Sequence, residues 1–186
     1  MGNNIKTKEM NYGQFIEKLN ELHDKGLIDV AAKYDVMDWG QELSVNSFER
    51  GLKDGMDISL IAWDTTKNYL EYAGANNPLY YIRENKIEII KANKQPIGYY
   101  HKPLPFTNHK IETNKGDKIY LFTDGIADQF GGPKGRKFMY KRFREFLEEI
   151  HTKPMSEQKQ ILDNTIEEWR GDHKQIDDIL VIGLKF

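Results

Sequence analysis

The sequence contains no cysteine. This absence excludes a disulfide scaffold, a thiolate zinc site and a cysteine nucleophile. It also has no apolar run as long as a membrane span, and its first residues lack the apolar core of a secretory signal. We therefore expect a cytoplasmic domain with no membrane contact of its own. A longer parent protein would leave room for an upstream sensor domain or membrane anchor.

An excess of charge of one sign is also missing. The 27 Lys and Arg residues nearly balance the 29 Asp and Glu residues, for a net charge of −2. This balance argues against nucleic acid as a partner bound through bulk charge. The 186 residues, of which 39% are hydrophobic, suit one globular domain with its own core.

The N-terminal part of the chain contains none of the candidate site residues. Residues 1–10 are polar, and we expect them to be frayed. Apolar residues then recur at helical spacing over 12–22, and a second helix is predicted around 29–38. From residue 56 onward the pattern is typical of strands separated by turns. The predicted strands cover 56–64, 69–74, 79–83, 86–92, 106–113, 118–124 and 178–186.

Two helices with one apolar face each are predicted over 137–150 and 155–170, after a glycine-rich stretch at 130–137. The order of strands, helices and a last strand predicts an α+β fold, with helices packed on an antiparallel sheet. The short links over 56–92 predict that consecutive strands form a meander.

Acidic residues stand where two apolar strands end and begin. Asp124 ends the strand at 118–124, while Asp177 and Asp178 open the last strand. If these strands are antiparallel neighbours, facing residues have Cβ atoms about 5 Å apart. Carboxylates that close repel each other unless a cation lies between them, and a hard divalent ion suits oxygen ligands. On spacing alone the alternative is that these aspartates only cap a turn and a strand.

Several segments together closely resemble the C-terminal part of a known phosphatase domain. They are KDGMDISL (53–60), YAGANNPLYYIR (72–83), QPIG (95–98), GDKIYLFTDGIADQFGG (116–132) and QIDDILVIGL (175–184). In this order they resemble the SpoIIE-type, RsbU-like bacterial serine/threonine phosphatases of the metal-dependent PPM superfamily. The resemblance covers residues 53–186 well, whereas 1–52 match only loosely, as a helical region.

The resemblance implies an antiparallel β-sandwich flanked by helices in α-β-β-α layers. It also implies two Mg²⁺ or Mn²⁺ ions and a metal-activated water that hydrolyses phosphoserine or phosphothreonine on a regulatory protein. In relatives this substrate is often an anti-anti-sigma-type protein. Asp124 and Asp177 match metal ligands of the family by position. Asp178, Asp128 and Gly125 are candidates for supporting roles, and for Asp128 a loop cap is an equal alternative.

Two cations in the glycine-rich stretch are candidates for a contact with phosphate or with an acidic partner. They are Lys134 and Arg136. The alternative, which we favour here, is that they only solvate a loop.

One feature of the family is missing from the sequence. Relatives open the site with an Asp-x-x-Gly-His-Gly or Asp-Gly-x-Gly segment, and no Gly-x-Gly spacing occurs before residue 53. We therefore expect a domain truncated at its N-terminus, with weak or single-ion binding and little phosphatase activity from this chain alone. We also expect an exposed sheet edge that favours a homo-oligomer. The alternative function is a non-catalytic, phosphatase-like binding or scaffold module in signalling.

Overall fold

The computed structural model describes residues 6–10, 55–64, 66–98 and 100–186, with the backbone alone for 6–10. The helices predicted over 12–22 and 29–38 lie outside these residues. Within the described ranges, no helix is both long enough and apolar enough to cross a membrane.

The described elements are strands with three helices late in the chain. The strands are β1 (Lys6–Met10), β2 (Gly55–Met56), β3 (Ile58–Asp64), β4 (Tyr69–Ala75), β5 (Leu79–Arg83), β6 (Lys86–Ile90), β7 (Ile97–Gly98), β8 (Phe106–Glu112), β9 (Lys118–Phe122), β10 (Phe130–Gly131), β11 (Arg136–Lys137) and β12 (Val181–Lys185). The helices are α1 (Gly125–Asp128), α2 (Tyr140–Ile150) and α3 (Met155–Arg170). All pairs between these described strands are antiparallel. The predicted α+β class is therefore confirmed.

The first sheet has the strand order β1-β8-β4-β3. Its core contains Ala73, Ala75 and Phe106, and β4 is buried without interruption from Tyr72 to Ala75. Strand β1 pairs with β8 from Lys6↔Lys110 to Met10↔Phe106, so the expectation of frayed residues was wrong for Lys6–Met10. An edge strand needs only backbone partners, so its polar side chains did not predict it.

The second sheet has the strand order β12-β9-β5-β6, and helices α2 and α3 cover residues of one of its faces. Strand residues Tyr80 and Phe122 pack with helix residues Phe143 and Leu147 in one buried cluster. Ile150 continues the 3–4-residue spacing of the buried face of α2, as the sequence pattern predicts.

The predicted meander is wrong at one point, because β4 and β5 belong to different sheets. The turn between them is anchored at the Asn77 carbonyl, which accepts hydrogen bonds from the Tyr72 hydroxyl (2.7 Å) and the Ser59 hydroxyl (2.8 Å). A Cβ atom on Gly74 would lie 2.1 Å from the Tyr72 hydroxyl, so only glycine admits this anchor. Short links in sequence do not distinguish such a crossing from a hairpin.

Candidate metal centre

Strands β9 and β12 are antiparallel neighbours, which is the condition that the metal-site interpretation set. Their register runs from Lys118↔Lys185 to Phe122↔Val181. The C-terminal end of β9 therefore lies beside the N-terminal end of β12. Asp124 follows the first strand by two residues, and Asp177 and Asp178 shortly precede the second.

Contacts between the two segments continue beyond the ladder. The Thr123 hydroxyl donates to the Asp178 carbonyl (2.7 Å) and accepts from the Leu180 N–H (3.0 Å). An ideal Cβ atom on Gly125 would lie 2.4 Å from the Asp178 carbonyl oxygen and 3.4 Å from the Asp177 carbonyl carbon. The backbone at Gly125 therefore lies so close to the backbone at Asp178 that a side chain at position 125 would clash with it.

The aspartates themselves are exposed. Asp124 is the N-terminal cap residue of α1, and its carbonyl accepts the N–H groups of Ala127 (2.9 Å) and Asp128 (3.0 Å). The Asp177 carboxylate accepts the Asp178 N–H (2.7 Å), and the Gln175 amide donates to the Asp177 carbonyl (2.8 Å). These local hydrogen bonds hold the acidic segments while their carboxylates remain accessible.

The two acidic segments do not form a complete metal cluster among the described residues. No group of three or more His, Asp or Glu side chains among these residues has the arrangement of a metal cluster. The ligand roles of Asp124 and Asp177, and the supporting roles of Asp178 and Gly125, therefore stay predictions.

Asp128 contacts a cation. Its carboxylate forms an ion pair with the Lys137 ammonium at 2.9 Å, and both side chains are 40% exposed. The pair joins the end of α1 to β11. A supporting role for Asp128 at a metal stays a prediction.

Lys134 and Arg136 are exposed on the β10–β11 hairpin. The hairpin pairs Phe130 with Lys137 and Gly131 with Arg136. Both cations line a groove beside the hairpin. Their contact with a phosphate or a partner stays a prediction.

Sequence reasoning missed Gln129, which is fully buried. Its side-chain amide donates to the Lys174 carbonyl (3.1 Å) and the Phe130 carbonyl (2.9 Å). The backbone carbonyl of Gln129 accepts a hydrogen bond from the Trp169 indole N–H (3.2 Å). Gln129 thus connects the segment after Asp124 to the one that leads to Asp177. The sequence gives no signal of its burial, because it stands between the charged Asp128 and Phe130.

The fold of the described chain recurs in solved phosphatase domains. The SiaA-PP2C domain of Pseudomonas aeruginosa superposes with a TM-score of 0.65 at 24% identity, over 79% of this chain and 66% of that one. This chain thus spans just under two thirds of that domain. The phosphatase domain of the cell fate determinant SpoIIE from Bacillus subtilis superposes with a TM-score of 0.57 at 13% identity, over 100% of this chain and 88% of that one.

A third similar structure contains metal ions. The catalytic domain of the serine/threonine protein phosphatase PstP, solved in complex with two manganese ions, gives a TM-score of 0.54 at 16% identity. The match covers 96% of this chain and 84% of that one. At such identities these likenesses establish the fold. No curated protein matches the sequence.

A family model extends the resemblance beyond the segments quoted above. The model for Stage II sporulation protein E (SpoIIE) matches residues 5–186, which includes the part that resembled the family only loosely. Since this match spans nearly the whole chain and the fold agrees with it, the chain belongs to the SpoIIE family of PP2C-type phosphatase domains.

Proposed function

We propose that this domain hydrolyses phosphoserine or phosphothreonine on a regulatory protein with the help of a divalent cation. The observation that carries the proposal is the antiparallel pairing of β9 with β12, with Gly125 against the Asp178 carbonyl. A regulatory protein of the anti-anti-sigma type and a cytoplasmic location belong to the same proposal.

Asp124 and Asp177 would hold Mg²⁺ or Mn²⁺, with Asp178 beside them. Their carboxylates are hard oxygen ligands, and like charges at neighbouring strand ends are relieved by a cation. Such an ion would lower the pKa of a bound water and neutralise charge on the phosphoryl oxygens. The chain's own contribution is to hold the two acidic segments in register, through Thr123 and the close approach at Gly125.

The activity of this chain by itself is expected to be low. The sequence lacks the Asp-x-x-Gly-His-Gly segment with which relatives open the site, so an acidic residue of that segment is not available to hold a metal. Affinity for a divalent ion rises with the number of charged ligands, so two or three carboxylates favour weak or single-ion binding.

The second candidate is a phosphatase-like module that binds a partner without turnover. It is favoured by the lack of a three-residue acidic cluster among the described residues. The two candidates differ in whether Asp124 and Asp177 bind metal.

A calorimetric Mn²⁺ titration tests this difference. The wild-type chain is expected to bind with a Kd on the order of 1 mM, and an Asp124→Asn/Asp177→Asn double variant to lose binding. Asp163→Asn, which removes an exposed carboxylate from α3, is the matched control and should bind like the wild type. Equal Mn²⁺ binding by the double variant and the wild type would show that Asp124 and Asp177 are not metal ligands.

Hydrolysis of p-nitrophenyl phosphate completes the test. Metal binding with little hydrolysis would support a phosphatase site that this chain fills only in part. Robust Mn²⁺-dependent hydrolysis would overturn the expectation of low activity and keep the phosphatase proposal. Absence of both binding and hydrolysis would favour the non-catalytic module.

A further inference from the structure

A groove with a volume of about 1250 Å³ lies among the β10–β11 hairpin, α2 and α3. Asp124 and Asp177 are not among its lining residues. We propose that this groove docks an acidic segment of a partner protein. The inference does not depend on the proposed catalysis, because the surface it uses is made of other residues.

Charge is the first argument for an acidic occupant. Five cationic and three acidic side chains line the groove, an excess of two positive charges on a chain whose net charge is −2. Potentials of opposite sign steer and orient partners at such surfaces. Nucleic acid fits less well, because the chain as a whole is acidic and Glu149 and Glu168 also line the groove.

Pairing of these charges is the second argument. Lys137 is paired with Asp128 at 2.9 Å, and Lys141 lies 3.8 Å from Glu145. The other three cations of the groove form no ion pair with the described acidic residues. They are Lys134, Arg136 and Arg142. The groove therefore offers three cations that an incoming carboxylate can reach without displacing an internal partner.

Arg142 is held in a defined orientation. Its guanidinium carbon lies 4.1 Å from the Trp169 ring centroid and 5.7 Å from the Phe138 ring centroid. Trp169 is itself fixed, since its indole N–H donates to the Gln129 carbonyl (3.2 Å) and its ring packs edge-on against Phe138. A guanidinium stacked on an indole keeps its N–H edge free for a planar carboxylate, and little side-chain freedom remains to be lost on binding.

The first turn of α2 adds to the positive charge of the groove. It carries Lys141 and Arg142 and no acidic residue, and its N-cap residue Met139 makes no side-chain capping hydrogen bond. Cations at this end of a helix are unfavourable, and a bound carboxylate would offset them. The exposed Met139 and half-buried Phe146 give the same groove an apolar part for the neighbouring side chains of the segment.

The test uses the full chain without metal and a fluorescein-labelled dodecapeptide of alternating Glu and Ala. Fluorescence anisotropy should detect binding in about 50 mM salt that weakens as salt rises. Arg142→Gln should weaken binding at least about fivefold, as expected when a charge-assisted hydrogen bond is lost. Arg142→Lys keeps the positive charge but loses the planar guanidinium. Its affinity for the peptide should lie between the affinities of the wild type and of Arg142→Gln.

Lys159→Gln is the matched control, because Lys159 is exposed on α3 and does not line the groove. It should leave the affinity unchanged. The Asp124→Asn/Asp177→Asn variant should also bind the peptide normally, which separates this inference from the proposed catalysis. Far-ultraviolet circular dichroism checks that each variant is folded.

A second readout locates the bound peptide. The indole N–H resonance of Trp169, assigned by elimination with Trp39→Phe and Trp63→Phe, should shift during the titration. The proposal is overturned if Arg142→Gln and Lys159→Gln bind equally, or if the Trp169 resonance does not move. It is also overturned if an alternating Lys and Ala peptide, or a single-stranded oligonucleotide of equal charge, binds at least as tightly.

Discussion

At the residue scale, Asp117 shows how a buried charge is held at the start of β9. Its side chain is 5% exposed and accepts hydrogen bonds from the Tyr81 hydroxyl, from Arg83 Nη2 (2.7 Å) and from Arg83 Nε (3.1 Å). Burial, followed by the hydrogen bond to Asp117, raises the pKa of the Tyr81 hydroxyl, which therefore remains a donor. The hydrogen bond to Asp117 likewise raises the pKa of Arg83.

Replacing Asp117 with Asn should lower the free energy of unfolding by about 2 kcal/mol. The amide can still accept from Tyr81 but removes the negative charge that Arg83 Nη2 contacts at 2.7 Å, and the 21% exposure of Arg83 keeps the loss below that of a fully buried pair. Urea denaturation measures the loss, and the exposed Asp163→Asn is the control. A change no larger than that of the control would show that the ion pair adds nothing to stability.

At the scale of elements, the start of α2 is strained. Met139 precedes the helix at φ 73° and ψ 143°, a region that is essentially reserved for glycine. Two backbone hydrogen bonds hold it there: Phe138 N–H to the Gln129 carbonyl (2.9 Å) and Met139 N–H to the Ala127 carbonyl (2.8 Å). The same bonds attach the helix to the segment that follows Asp124.

Substitution of Met139 with Gly should raise the free energy of unfolding by about 1 kcal/mol. Relief of backbone strain is worth about 1–3 kcal/mol, and the extra freedom of glycine in the unfolded chain offsets part of it. Little burial is lost, since the side chain is 57% exposed. Met139→Ala keeps the Cβ atom and should bring no gain. Equal stability of the two variants in urea would refute the strain argument.

At the scale of the whole molecule, the C-terminal strand β12 lies at a sheet edge where a second chain could pair with it. Among the described strands, β12 pairs only with β9. Leu180, Ile182 and Leu184 are 54%, 42% and 38% exposed, and their period of two is that of one face of a strand. An apolar edge strand is a site where another chain can pair.

The full chain is therefore expected to form homo-oligomers in solution. Ile182→Lys places a charge on the edge and should shift the protein to monomer, while Ile182→Val should leave the association intact. Light scattering over a range of concentrations measures both. A wild-type chain that stays monomeric at high concentration would contradict the prediction.

Local patterns predicted the elements well. The strands at 58–64, 79–83 and 118–122 and the helix at 155–170 follow alternation or helical spacing, which side chains express over a few residues. The metal-site interpretation assumed that the strands before Asp124 and after Asp178 are neighbours, and the structure does pair β9 with β12. The strand at 6–10 was missed, since its partner, not its composition, makes it a strand.

The sequence by itself determined the α+β class, the family resemblance and the acidic residues worth testing, because these depend on residue type and order. Only the tertiary structure decided the switch of sheets after β4, the burial of Gln129 between the segments of Asp124 and Asp177, and the stacking of Arg142 on Trp169. These features join residues far apart in the chain, and their free energy exists only once packing has brought the partners together.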